Sequence, residues 1–500
     1  MKIRLQRFYY PTILAILLVA VLVTGCDKEE FNSSPDFRLA FSTDTVSFDT
    51  IFQSVGSATQ IMKVYNRSDE FVTIDRISVI DSCDNYDPFR LNVDGISGSM
   101  VENIEIGPND SAFVFVEVTI DPSQLCTALE VGVIEFSVNG NQQYVTLFAF
   151  GLDAIFYTPN VFPTNGLPAY TLIDPDPCAT ITWTADKPIV IYGYAVVDSC
   201  QSLIVEPGTQ VYFHQGAGLW IFQEGSIQAG STDGEAVVFQ GDRLEPFFDE
   251  EPGQWDRIWI LGGTENNSFE NTIIKNNFIG IQVEPSPFDP AISNSLVSNR
   301  LILRNVAIRN NSVAGIFSRN YRIEAANLLV SAGGQHCLAA TGAGQYRFDH
   351  CTFANNWSAS TRQTPAVFLT NLYPVDAQTL GVGNILNSRF RNCIFYGNGL
   401  NEFGFDFDTE SGDIDLAIDH TLIRMQEDDF LDLDQSYFAD EIFVGFDPGF
   451  VNFSEGDFRL REDAFVRSKG TSQGGLPNFD IVGTPYNNPR PLGCFEYLPE

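Results

Sequence analysis

Six short segments in the second half of the chain repeat one pattern, and such a repeat restricts the fold more than composition does. Laid over one another they are "ENTIIKNN" from Glu270, "RNVAIRNN" from Arg304, "ANLLVSAG" from Ala326, "DHCTFANN" from Asp349, "RNCIFYGN" from Arg391 and "DHTLIR" from Asp419. Their second residues, Asn271, Asn305, Asn327, His350, Asn392 and His420, are separated by 34, 22, 23, 42 and 28 positions. A unit near 22 residues, doubled at 42 and lengthened elsewhere by inserted loops, is one coil of a solenoid.

The third and fifth positions of each segment are apolar or small: Thr272 and Ile274, Val306 and Ile308, Leu328 and Val330, Cys351 and Phe353, Cys393 and Phe395, Thr421 and Ile423. Alternate residues of a strand point the same way. Stacked coils therefore pile these side chains into one interior column, with parallel strands about 4.8 Å apart hydrogen-bonded from coil to coil. The expectation is a right-handed parallel β-helix over residues 158–500. Asn276-Asn277, Asn310-Asn311 and Asn355-Asn356 follow the strands, and Asn tolerates the left-handed backbone of a sharp turn, so these pairs suggest a turn ladder. His350 and His420 share a column with asparagines, which makes them turn residues rather than general bases.

Residues 38–157 have another rhythm. "QIMKVYN", "FVTIDRISVI", "SAFVFVEVTI", "VGVIEFSV" and "QQYVTLFAFG" alternate apolar with polar residues between turn signals such as Asn66-Arg67-Ser68 and Asn139-Gly140-Asn141. This predicts a β-sandwich of about seven strands. Ahead of it stand Lys2, Arg4 and Arg7, an apolar stretch from 13 to 23, and Thr24-Gly25-Cys26. That is the layout of an export leader, and the apolar stretch is too short to span a bilayer. Residues 26–37 form a short acidic tether.

A net charge of -36 over 500 residues opposes nucleic acid as a partner, because such binding rests on Lys and Arg neutralising phosphates. Beyond Cys26 the cysteines are even in number, which in an oxidising compartment points to disulfides. Cys83 with Cys126, and Cys178 with Cys200, are the expected pairs. Cys337, Cys351 and Cys393 are expected in the core. No C-x-x-C or paired histidine spacing occurs, so no metal site or cofactor is expected. Calcium stays open at two places. One is the run "EDDFLDLD" around Asp428-Asp429; the other is the insertion "QGDRLEPFFDEEPGQWDRIW", which either caps the coil with its aromatics or binds a partner.

Several stretches resemble known bacterial sequences. "LVTGC" resembles the lipobox of lipoproteins, which implies cleavage before Cys26 and acylation of that residue, and several acyl chains give stable anchoring. Asp27-Lys28-Glu29-Glu30 resembles the surface-export signal of Bacteroidota lipoproteins, implying an outer-membrane protein that faces the exterior. "VSFDTIFQSVGSATQIMKVYN" resembles immunoglobulin-like spacer domains of surface proteins. "SLIVEPGTQVYFHQGAGLWIFQEGSIQAG" from Ser202 resembles the first coils of pectate-lyase-like β-helices. "FDPGFVNFSEGDFRL" and "RPLGCFEY" resemble the segment that closes them, which would cover an open solenoid end. From Asp36 to Glu500 the chain is similar to a family of Bacteroidota surface lipoproteins joining these two domains, a family that lends no activity.

Parallel β-helices carry lyases, hydrolases and adhesins alike, so the fold selects no chemistry. The N-T-D and G-H-G motifs of polygalacturonase-like enzymes are absent. Between residues 301 and 400, eight arginines face only Glu324, Asp349 and Asp376. Lys275, Arg309, Arg319, Arg322 and Arg347, with the flat rings of Tyr346 and Trp357, make a candidate surface for an anionic or neutral glycan; the alternative is scattered solvated charge. The leading expectation is a lipid-anchored, non-catalytic module for glycan binding or adhesion. A polysaccharide lyase or glycosidase is the alternative, and a structural surface component the third reading.

Overall fold

A computed structural model describes residues 30–52, 56–57, 59–81, 88–120, 129–164, 166–289, 292–376 and 378–499. Cys26, Cys83 and Cys126 lie outside these residues, so the lipidation and the first disulfide are expectations only. The chain divides into two compact units between Asp153 and Ala154.

The first unit has two five-stranded sheets. Alternation explains its core: along Ser111–Val118, Ala112, Val114, Val116 and Val118 are buried while Phe113 and Glu117 face outward. Among the described residues there are ten strands where about seven were expected, because edge strands such as Ala40–Phe41 and Ile96–Gly98 are too short for alternation to reveal. Asp94 and Gly95 both have positive φ, the backbone of a tight hairpin, and fold Phe89–Val93 back onto Ile96–Gly98.

The second unit is a right-handed parallel β-helix. Each coil supplies one strand to each of three long faces, here called sheets 1, 2 and 3. Sheet 1 runs through Gln210–Phe213 and Val237–Gly241, sheet 2 through Gly218–Ile221 and Trp255–Leu261, and sheet 3 through Ser202–Val205 and Ser226–Ala229. The first strand, Ile155–Tyr157, pairs in parallel with Ile189–Ile191, so the solenoid begins slightly before the expected boundary.

The repeat column is in register: Ile274 with Ile308, Ile308 with Val330, Val330 with Phe353, Phe353 with Phe395, and Phe395 with Ile423. All six are fully buried. The corner between sheets 3 and 1 is a single left-handed residue in each of the six repeat coils, with φ of 45° at Asn271, 53° at Asn305, 52° at Asn327, 54° at His350, 55° at Asn392 and 42° at His420. Asn276 and Asn310 turn the next corner with φ of 66° and 57°. Behind it Asn311 and Asn355 point inward, donating to the carbonyls of Ser331 at 3.1 Å and Gly333 at 2.9 Å. Cys178 and Cys200 are disulfide-bonded, and Cys337, Cys351, Cys393 and Cys494 are buried thiols.

The C-terminal segment does not cover the solenoid end as expected. Its hairpin, Phe450–Asn452 with Asp457–Leu460, lies along the side of sheet 1, where Phe450, Phe458, Leu460, Val466 and Leu492 pack on Leu329, Ala354, Ile394 and Leu422. Those four are outward positions that happen to be apolar, and they need a cover. Residues of the helix Glu427–Leu431 and the turn after it close on the inner core instead, through Phe430, Leu433, Tyr437 and Phe438.

Candidate functional site

The seven expected glycan contacts do not converge. Lys275 and Arg309 are register partners on sheet 1, as the repeat implied. Yet the Lys275 side chain is only 8% exposed and is ion-paired with Asp249, while Arg309 lies 3.9 Å from Glu250. Both acids come from the insertion after Gln240, which straps the cationic column. Arg319 stands on sheet 2, and Arg322 and Arg347 on sheet 3. Tyr346 is fully buried in the core, because it lies between two outward residues of one strand. Trp357 is half-buried in the loop after Thr352–Asn355, where its indole donates to Ser360 at 3.0 Å. Residues close in sequence are dispersed because each coil turns its corners within some twenty residues.

The insertion is not a simple cap. Trp255 enters the core and stacks on Phe213 at 4.1 Å, whereas Phe247 is 74% exposed. No cluster of three or more His, Cys, Asp or Glu suited to a metal occurs among the described residues. Asp429 accepts from Asn401 at 2.7 Å and Gln426 at 3.3 Å.

The outward row of sheet 2 carries a different arrangement, one not foreseen from sequence. Register runs from Trp220 to Trp259, Gln282, Phe317, Ala339 and Phe368, one residue per coil. Trp220 is covered, stacking on Trp259 at 4.8 Å and meeting Phe288 at 5.7 Å. Further along, Phe317 and Phe368 are half-buried and flank the small Ala339, which is buried. Two coil spacings separate their backbone positions by about 9.6 Å. A ring in contact on both faces needs about 7–8 Å, so this spacing is wide enough for one six-membered ring, and the place over Ala339 is here called the slot.

Polar groups line the slot. Arg319 follows Phe317 by one outward step and pairs with Glu284 at 2.9 Å. Glu284 also accepts from the Trp259 indole at 2.8 Å and from Gln282 at 2.6 Å, which fixes the pair in place. On the opposite side His336 stacks on Phe368 at 5.9 Å. Its Nδ1 lies 2.7 Å from the Pro365 carbonyl, and since a carbonyl only accepts, Nδ1 is the donor and Nε2 the acceptor. Burial holds the His336 pKa below the usual imidazole value, keeping the ring neutral. Beside the slot thus stand two aromatic side chains, the Arg319 guanidinium held by the buried Glu284, and a neutral imidazole.

Carboxylate spacing bears on hydrolysis. On sheet 2, Glu284 is opposite Leu261, five residues beyond Asp256. At about 3.3 Å per residue these acids stand about 16 Å apart, whereas a glycosidase pair needs about 5–9.5 Å. On sheet 3, Glu324 is opposite Arg347, two residues before Asp349, a diagonal of about 8 Å. Both of those are engaged by arginine, Glu324 at 3.6 Å from Arg304 and Asp349 at 2.9 Å from Arg391.

No protein-family model and no curated protein matches the sequence. Among solved structures, the catalytic unit of a thermostable GH87 alpha-1,3-glucanase from Streptomyces thermodiastaticus is similar over 72% of this chain and 66% of its own, with 11% identity and a TM-score of 0.25. A family 123 glycoside hydrolase from Clostridium perfringens is similar over 22% of this chain, with 12% identity and a TM-score of 0.18, and the chain spans only 23% of it. A PapD-like domain of human CEP192 is similar over 24% of this chain and 93% of its own, with 9% identity and a TM-score of 0.17. None of the three lends a residue role here.

Proposed function

We propose that the protein is an exported, Cys26-lipidated surface module that binds neutral carbohydrate without cleaving it, in the slot between Phe317 and Phe368. The carrying observation is that row: two half-buried phenylalanines two coils apart over Ala339, beside a Glu284–Arg319 pair already fixed by Trp259 and Gln282. Rigid aromatic faces contribute area at little entropic cost, and pre-set polar groups fix orientation. A non-lipidated Cys26→Ser form screened on a glycan array tests this reading. Binding to neutral oligosaccharides that Phe317→Ala and Phe368→Ala each abolish supports it; unchanged binding in both variants removes the slot from consideration.

One observation favours a hydrolytic reading: the Glu324–Asp349 diagonal of about 8 Å falls within the spacing of inverting glycosidases. Release of oligosaccharides by the parent protein, lost in Glu324→Gln and Asp349→Asn, would replace the binding-only reading.

A further inference from the structure

Sheet 3 carries a second surface of different chemistry. Over five successive strands, from that within Asn267–Lys275 to Ile385–Arg391, its outward positions hold Arg300, Arg304, Arg322, Arg347, Arg389 and Arg391 against Glu270, Glu324 and Asp349. All three acids are engaged. Glu270 lies 3.2 Å from Arg304, which also holds Glu324, and Asp349 lies between Arg391 and Arg389, the latter at 3.7 Å. Arg300, Arg322 and Arg347 form no ion pair among the described residues.

Arg300 and Arg322 are direct register partners, and Arg347 stands one coil further and two residues along, about 8 Å away diagonally. Like charges directly opposed across a sheet destabilise it. The nearest carboxylate on this face is Glu324, register partner of Arg347 and two residues from Arg322, and its ion pair is with Arg304 at 3.6 Å. Arg322 is also held in place, donating through Nε to the Val297 carbonyl and through Nη1 to Gln345, each at 2.8 Å. Arg300 is thus left directly opposite Arg322, with no ion pair for either among the described residues.

We infer that Arg300, Arg322 and Arg347 bind a linear polyanionic polysaccharide running along the solenoid axis. Its carboxylate or sulfate groups neutralise arginines one and two coils apart, and each guanidinium fork takes an oxyanion pair. Charge complementarity is local: the surrounding negative field weakens capture from a distance but not contact at the row. This surface lies on a different sheet from the sugar slot, so the two readings stand or fall separately.

The test measures affinity of the full chain, as Cys26→Ser, for dextran sulfate, polygalacturonate, neutral dextran and single-stranded DNA. The triple variant Arg300→Gln, Arg322→Gln, Arg347→Gln is set against a control triple of equal charge change, Arg243→Gln, Arg459→Gln, Arg461→Gln. The expected result is a loss of about tenfold or more for a polyanionic polysaccharide in the first triple and about twofold or less in the control. Preference for dextran sulfate assigns sulfate, and preference for polygalacturonate assigns carboxylate. Equal losses in both triples, no polyanion binding by the parent, or DNA binding as tight as polysaccharide binding would overturn the inference.

Discussion

Replacing Glu402 by Gln should release the loop that leads into Val367–Thr370. Glu402 is fully buried, and its carboxylate accepts four N–H groups. Arg362 gives Nη1 at 2.9 Å and Nη2 at 2.5 Å, the Ala366 amide is 2.8 Å away, and the Gly399 amide 2.5 Å. Charge-assisted hydrogen bonds contribute about 1.5–3 kcal/mol each, which would sum to about 6–12. Such bonds are not additive, and removing one partner of a buried ion pair costs about 3–5 kcal/mol. The lower range applies here, because Gln keeps the shape and one acceptor while leaving Arg362, 5% exposed, without its counter-charge. The assay is hydrogen exchange at Ala366 and Gly399, which should quicken by roughly a hundredfold to several thousandfold. Because the Pro365 carbonyl positions His336, oligosaccharide binding should weaken as well. Adding Arg362→Met should restore much of the protection, since no buried charge then lacks a partner. Parent-like exchange in Glu402→Gln, or a double variant no better than the single, would refute this reasoning.

Burial holds the His350 pKa down to about 3, against an ordinary value of about 6.5. The unfolded chain therefore takes up the proton first, and stability should fall as pH drops from about 6.5 towards 3, by up to about 1.4 kcal/mol per unit. His350→Asn, which installs the usual residue of that corner, should flatten the pH dependence of the urea midpoint. Phe353→Ala should cost about 3–5 kcal/mol in chemical denaturation, and a loss under about 1 kcal/mol would contradict the interior column. Replacing both Cys178 and Cys200 by Ser should destabilise the first coils by about 3 kcal/mol, seen as faster proteolysis there.

The interior of the solenoid was legible because its physics is one-dimensional. An inward position must be apolar or small in every coil, and a one-residue corner must tolerate positive φ, which is why Asn recurs from Asn271 to Asn392. His350 fits the same constraint and gains a second role, stacking on Tyr486 at 4.3 Å and docking the C-terminal segment. Outward positions carry no such constraint. The slot row from Trp259 through Gln282, Phe317 and Ala339 to Phe368 is spaced by 23, 35, 22 and 29 residues, so loop lengths hide it from any periodic search. Tyr346 is a different case, because parity with the inward Phe348 two residues on was sufficient to place it inside. Nor does sequence show that Asp249 and Glu250 return to Lys275 and Arg309; that pairing exists only after the strap folds over sheet 1.

The outward faces differ because each is written by what lies on it. Sheet 1 is apolar at Leu329, Ala354, Ile394 and Leu422, where the C-terminal segment rests, and cationic at Lys275 and Arg309, where the acidic strap rests. Trp220 on sheet 2 is likewise answered by Phe288. In each case an outward feature costly to leave in water is matched by this chain's own residues. Phe317 and Phe368 remain half-buried, and Arg300, Arg322 and Arg347 form no ion pair among the described residues. These two sets, on separate sheets, are the outward features on which the proposed carbohydrate contacts rest.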